Sequence, residues 1–218
     1  MIQHYDLLVF DWDGTLINSA GTIAECIQHA CRDAEVPIPP IERARHVIGM
    51  GLYAALEYAT PGLSPEEYRR VIENYGRHYI ARDANLPLFE GTAPMLEALD
   101  ARGHTLAIAT GKSSAGLARA LQNTGLATWF RASRCADQCT PKPAPDMLLE
   151  LMDEFEASPE RTLMIGDTTH DLGMAKNAGV AAVGISHGAH PLEELRGMRP
   201  LALVHSTMEL HEWLMRNA

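Results

Sequence analysis

The chain has 218 residues, 46% of them hydrophobic, which suits one folded domain or one domain with a sizeable insertion. Lys and Arg number 18 against 28 Asp and Glu, a net charge of −10. That balance argues against wrapping nucleic acid, which needs clustered cations to neutralise phosphates, and against binding anionic membranes.

The first apolar run is Leu7-Leu8-Val9-Phe10. It has no basic stretch before it, and it is too short for a signal-peptide core or a bilayer span. No other run approaches about 20 apolar residues, so a cytoplasmic location is expected. After this strand the chain reads as helical for a long stretch, punctuated by Pro37, Pro39, Pro40, Pro61 and Gly62. Within it, Thr22 to Glu35 carries apolar positions at Ile23, Cys26, Ile27 and Ala30, the spacing of one helix face. Pro65 to Arg82 opens with Ser64 as N-cap and acids in the first turn.

Beyond residue 85, helix-like and strand-like segments alternate. Ala93 to Ala101 is followed by the apolar run Leu106 to Ala109, then by Ser114 to Thr124 and Pro145 to Phe155. Leu163 to Ile165, His170 to Ala178, Val180 to Ile185 and Leu201 to Val204 complete the series. Continuous apolar runs between helices indicate a doubly wound α/β core with a parallel, Rossmann-like sheet. The expected division is a core of residues 1–15 and 86–218 with an all-helical insertion, 16–85. Cys26, Cys31, Cys135 and Cys139 lack zinc-knuckle spacing and read as reduced thiols. The ten histidines show no ligand spacing either.

Open α/β sheets bind ligands beyond the carboxyl ends of their strands. The first strand ends in Asp11-Trp12-Asp13-Gly14-Thr15. Two carboxylates two residues apart share a face and repel unless a cation intervenes, and such oxygen clusters suit Mg²⁺. The next strand ends in Thr110-Gly111, a hydroxyl and an accessible N–H suited to phosphate oxygens. Lys142 stands between Pro141 and Pro143, whose rigidity fixes where the ammonium points. It is one of only three lysines, with Lys112 and Lys176. A later strand ends in Gly166-Asp167, with Asp171 opening a helix. Gly111-Lys112-Ser113 imitates a P-loop ending, but Leu106 occupies the position where that motif needs glycine. Acids, hydroxyl and lysine together would neutralise and position a transferring phosphoryl group.

In this order, these motifs resemble those of the haloacid dehalogenase superfamily, in the branch similar to phosphoglycolate phosphatase. The helical insertion stands where that family carries its cap. The resemblance implies Asp11 as the nucleophile and Asp13 as general acid, then base. It implies Trp12, Thr110, Gly111 and Lys142 around the phosphate. Mg²⁺ would be bound by Asp11, the Asp13 carbonyl and Asp167. Asp171 would orient these groups from behind, or serve only as a helix cap. The loop Gly49-Met50-Gly51 is either a helix break or a cap loop facing the substrate, and His187 is a further candidate beside the site. Where the family often has another Asp, this chain has Asn18-Ser19, a change expected to bear on helix capping more than on chemistry.

Asp13 argues against a dehalogenase, whose leaving group needs no proton. No lysine lies between Asp13 and Lys112, which closes the Schiff-base route of a phosphonatase. The expectation is a Mg²⁺-dependent phosphatase acting on a small phosphorylated metabolite, phosphoglycolate being the leading candidate. Its carboxylate would need a cap cation, with Arg43, Arg45, Arg77 and Arg82 available. A sugar phosphomutase and a phosphoryl-accepting receiver domain are the alternatives. Either a monomer or a homodimer is compatible with this reading.

Overall fold

The computed structural model describes residues 4–218. Six parallel strands form one sheet in the order β3-β2-β1-β4-β5-β6. They are β1 (Leu7–Phe10), β2 (Thr105–Thr110), β3 (Ala132–Cys135), β4 (Thr162–Gly166), β5 (Ala181–Ile185) and β6 (Ala202–Val204). Side chains alternate across the sheet, as the two-residue period of a strand requires. Leu8, Phe10, Leu106, Ile108, Leu163 and Ile165 face one apolar layer. Leu7, Val9, Ala107, Ala109 and Met164 face the other.

Helices cover both faces, which is why β1 is apolar at every position and its neighbours nearly so. The first layer is closed by α5 (Thr92–Ala101), α6 (Ser114–Thr124) and α10 (Thr207–Asn217). The second is closed by α7 (Asp146–Glu154), α8 (Thr169–Asn177) and α9 (Leu192–Gly197). Strand β3 was not among the apolar runs of the sequence. Its residues Ala-Ser-Arg-Cys lie at the sheet edge, and Arg134 pairs outward with Glu150 and Glu154 of α7 at 2.6 and 2.8 Å. A charged edge strand discourages pairing with another chain and leaves no hydrophobic signature.

Between β1 and α5 the chain forms α1 (Ala20–Asp33), α2 (Ile41–His46), α3 (Leu52–Ala59) and α4 (Pro65–Asp83). These pack into an apolar cluster built almost wholly from their own residues. Helix α4 has the capping box its sequence suggests: Ser64 Oγ accepts from Glu67 N–H, and the Glu67 carboxylate accepts from Ser64 N–H. The two connections between this layer and the core run side by side. Asn18 N–H donates to Pro87 O and Phe89 N–H to Leu16 O. Among the described residues, no helix is long and apolar enough to cross a membrane.

Candidate active site

The strand order reverses direction at β1, so a crevice opens beyond the carboxyl ends of β1 and its neighbours. Asp11 follows the last residue of β1, Thr110 ends β2, and Asp167 follows the last residue of β4. Register therefore delivers all three to one edge. The main chain locks this in, because Asp11 N–H donates to Ile165 O at 2.9 Å.

Lys142, in the loop after β3, reaches the same point. Its Nζ donates to Asp11 Oδ1 at 2.7 Å and to Asp171 Oδ1 at 2.6 Å, with all three side chains buried. Asp171 also caps α8: its carboxylate accepts from Thr168 N–H, and its own N–H donates to Thr168 Oγ1. Both readings of Asp171 thus describe the same side chain. Asp167 Oδ1 accepts from Thr15 Oγ1 at 2.7 Å, and Oδ2 accepts from Ala189 N–H at 2.7 Å. Gly14 sits at φ 87°, and a β-carbon there would collide with the Asp167 carboxylate.

Asp11, Asp167 and Asp171 place carboxylate oxygens within 4.8 Å of one another. Burial pushes the Asp11 carboxyl well above the usual carboxylate range. Lys142 opposes that shift, and Asp171 and Asp13 add to it. Asp167 is raised in the same way, first by burial and then by repulsion from Asp11 and Asp171. Burial alone would lower Lys142, but Asp11 and Asp171 more than reverse this and hold the ammonium above its ordinary value. One ammonium among three buried acids leaves two negative charges uncompensated when all are ionised. Asp11 Oδ2 is buried and has no hydrogen-bond partner. An all-oxygen cluster with residual charge and a free carboxylate oxygen fits a hard divalent cation.

Asp13 stands apart from this cluster. Its carboxylate accepts from Lys112 Nζ at 3.1 and 3.2 Å and from Ser19 Oγ at 2.7 Å. Ser19 is the N-cap of α1 but caps nothing with its side chain. The expectation that this departure concerns capping is corrected: the hydroxyl is used on Asp13, and Asn18 is exposed. Lys112, which the sequence offered only as a false P-loop ending, bridges Asp13 to Tyr79 of α4, donating to the phenol oxygen at 2.7 Å. The scarcity of lysine, three in the whole chain, was the signal available.

A cavity of about 270 Å³ lies between the helical layer and the sheet edge, lined by Asp11, Asp13, Thr110 and Gly111 below and by α1, α3 and α4 above. Gly49 and Met50 line it as well. Gly51 instead packs toward Pro141 and Ala136. The side chain of Trp12 is buried in the apolar layer, so only its backbone is left to the loop. None of Arg43, Arg45, Arg77 and Arg82 lines the cavity. Arg45 donates to Gly188 O, Arg77 to the Asn74 side chain, and Arg82 to Cys26 Sγ. His187 stacks on Phe89 and lies 3.4 Å from Thr15 O, beside the site.

Histidines distant in sequence do come together at the contact between helical layer and core. The rings of His46 and His190 stack at 4.6 Å, and His170 and His190 both donate Nε2–H to His46 O. His46, His190 and Glu194 approach one another closely enough for a metal. However, His190 Nδ1 already accepts from Thr169 N–H, so both of its nitrogens are engaged.

Comparison with known proteins points the same way as this geometry. Residues 8–185 match the family of haloacid dehalogenase-like hydrolases. A protein of Dickeya dadantii named Probable phosphatase IndB is 34% identical over 94% of this chain and 91% of its own. A phosphoglycolate phosphatase of Vibrio vulnificus is 30% identical over 95% of each chain. The crystal structure of a hydrolase from Pseudomonas syringae superposes with a TM-score of 0.89 over 98% of this chain and 99% of that one, at 23% identity. The chain belongs to the haloacid dehalogenase-like hydrolase family, in the branch that includes the phosphoglycolate phosphatases.

Proposed function

We propose that this protein, a phosphatase of that family, hydrolyses a small phosphate monoester through a phospho-aspartyl intermediate on Asp11, with Mg²⁺ as cofactor. The observation that carries the reading is the buried, unpartnered Asp11 Oδ2 beside Lys142, on a residue that lines the cavity. A carboxylate with one oxygen pinned and one free is an oriented nucleophile.

In the first half-reaction Asp11 attacks phosphorus, and the ester P–O bond breaks as the new P–O bond forms. Asp13 gives a proton to the departing alkoxide, then takes one from the water that cleaves the acyl phosphate. Inorganic phosphate leaves and Asp11 is restored. Lys112 and Ser19 keep the Asp13 side chain in place for both transfers. Lys142, Thr110 and the N–H groups of Trp12 and Gly111 hold the phosphoryl oxygens, and Asp171 fixes Lys142. Mg²⁺ held by Asp11, the Asp13 carbonyl and Asp167 would offset the charge of the acids and of the phosphate. Residues 16–85 act as the cap that keeps bulk water out.

The deciding experiment is phosphate release from a panel of small esters, with Mg²⁺ and with EDTA. Release should fall by at least about 100-fold in EDTA and return on adding Mg²⁺. Turnover indifferent to metal removes the cofactor assignment, and no release from any ester removes the phosphatase reading.

A further inference from the structure

We infer that the ester this site selects has an apolar, ring-bearing leaving group, such as a small arylalkyl alcohol, rather than an acidic or polyhydroxylated one. The inference rests on the phosphatase reading above and concerns what fills the cavity beyond the phosphate.

The chemistry occupies only one end of that cavity. Beyond Asp11 and Thr110, the walls are Ile23 and Ile27 of α1, Ile48, and Ile72, Tyr75 and Tyr79 of α4. The Tyr75 and Tyr79 rings stack on each other at 5.7 Å with their planes 16° apart, presenting one aromatic wall. An aromatic wall of this kind favours another ring, offset or edge-on. Burial holds both phenols neutral far beyond physiological pH, so neither offers charge to a ligand.

Charge in the cavity is already spoken for. Among the described residues, its only basic side chains are Lys112 and Arg119, both from the core. Lys112 is paired with Asp13, and Arg119 lies 3.5 Å from the buried Asp83 carboxylate. A leaving group carrying its own carboxylate would surrender water for isoleucine, with only the half-exposed Arg119, already drawn toward Asp83, to receive it. A sugar would strand several hydroxyls against the same walls.

The test compares benzyl phosphate, phosphoglycolate and glycerol 3-phosphate, all esters of primary alcohols, under Mg²⁺. We expect kcat/KM for benzyl phosphate to exceed the other two by at least about 10-fold. Ile72→Ser should cut the ratio of benzyl phosphate to glycerol 3-phosphate by about 10-fold, and Ile80→Ser at the cavity mouth serves if the first variant does not fold. Preference for phosphoglycolate or glycerol 3-phosphate overturns the inference and leaves the phosphatase reading intact. Binding is read separately by calorimetry with two non-hydrolysable phosphonates, 2-phenylethylphosphonate and 3-phosphonopropionate. Tighter binding of the first supports the inference even if no ester turns over, in which case only the phosphatase reading falls. Equal, reversed or undetectable binding overturns it.

Discussion

At the scale of single residues, the site works by giving the buried acids shared partners and leaving one Asp11 oxygen over. Asp11 Oδ1 is held by Lys142 and Oδ2 by nothing. Replacing Asp11 with Asn preserves the shape and removes the nucleophile. Asp11→Asn should therefore lower kcat by roughly 10⁴-fold or more, while circular dichroism and melting temperature stay close to wild type. Retained turnover would end the covalent mechanism. The positions of Asp11, Thr110, Asp167 and Lys142 were legible in the sequence because each stands at a strand end or between prolines, where local pattern predicts its place. Lys112 was not, because its role depends on Asp13, 99 positions away, and Tyr79, 33 positions away. Ser19 was misread for a related reason. A serine before a helix looks like a cap, and only the fold reveals that Asp13 claims its hydroxyl.

At the scale of elements, the end of β2 and the loop between α2 and α3 meet without a side chain between them. A β-carbon on Gly111 would lie 2.5 Å from the Met50 carbonyl oxygen and 2.6 Å from that of Gly49. Backbone cannot yield as a flexible side chain can, so the loop must lift. Gly111→Ala should raise KM by about 10-fold or more by loosening cavity closure, where a displacement of about 1 Å already matters. Gly21→Ala is the control: that position in α1 meets nothing within 4 Å, and alanine there should be neutral or mildly stabilising. Steady-state kinetics and thermal melts of both variants decide the matter. Long elements with clear periodicity, such as α1, α4 and α6, were readable within a few residues. Strand β3 and the short helices α2 and α3 were not, since the strand's polarity reflects its edge position and six or eight residues give too little periodicity.

At the scale of the molecule, the helical layer and the core are joined by a histidine cluster. His190 is buried, and burial lowers its pKa to about 4, aided by repulsion from His170 and His46. The unfolded value is about 6.5, so the unfolded chain binds a proton where the folded one refuses it. Stability from this group is complete above about pH 6.5 and is lost as pH falls toward 4. The loss approaches about 3 kcal/mol at its limit. Melting temperature should drop across this window, and His190→Asn should flatten that part of the curve; an unchanged slope would show that the imidazole does not titrate there. Facing it are His46, His170, Glu194 and Asp171; the His46 carbonyl and Asp171 favour protonation, and the two imidazoles oppose it. The helical character of the stretch after β1 was legible, and it forms helices α1 to α4. That this layer rests on three histidines was not, since the ring stack joins position 46 to 190. The place of β1 at the middle of the sheet has one more consequence. Leu7 pairs with Thr105 on one side and Thr162 on the other, so this strand gains both neighbours only after about 155 further residues have been made. While the chain is still emerging, Asp11 has neither Lys142 nor Asp167 beside it and remains an ordinary solvated carboxylate. Its special environment is thus acquired only when strands distant in sequence come to lie beside it.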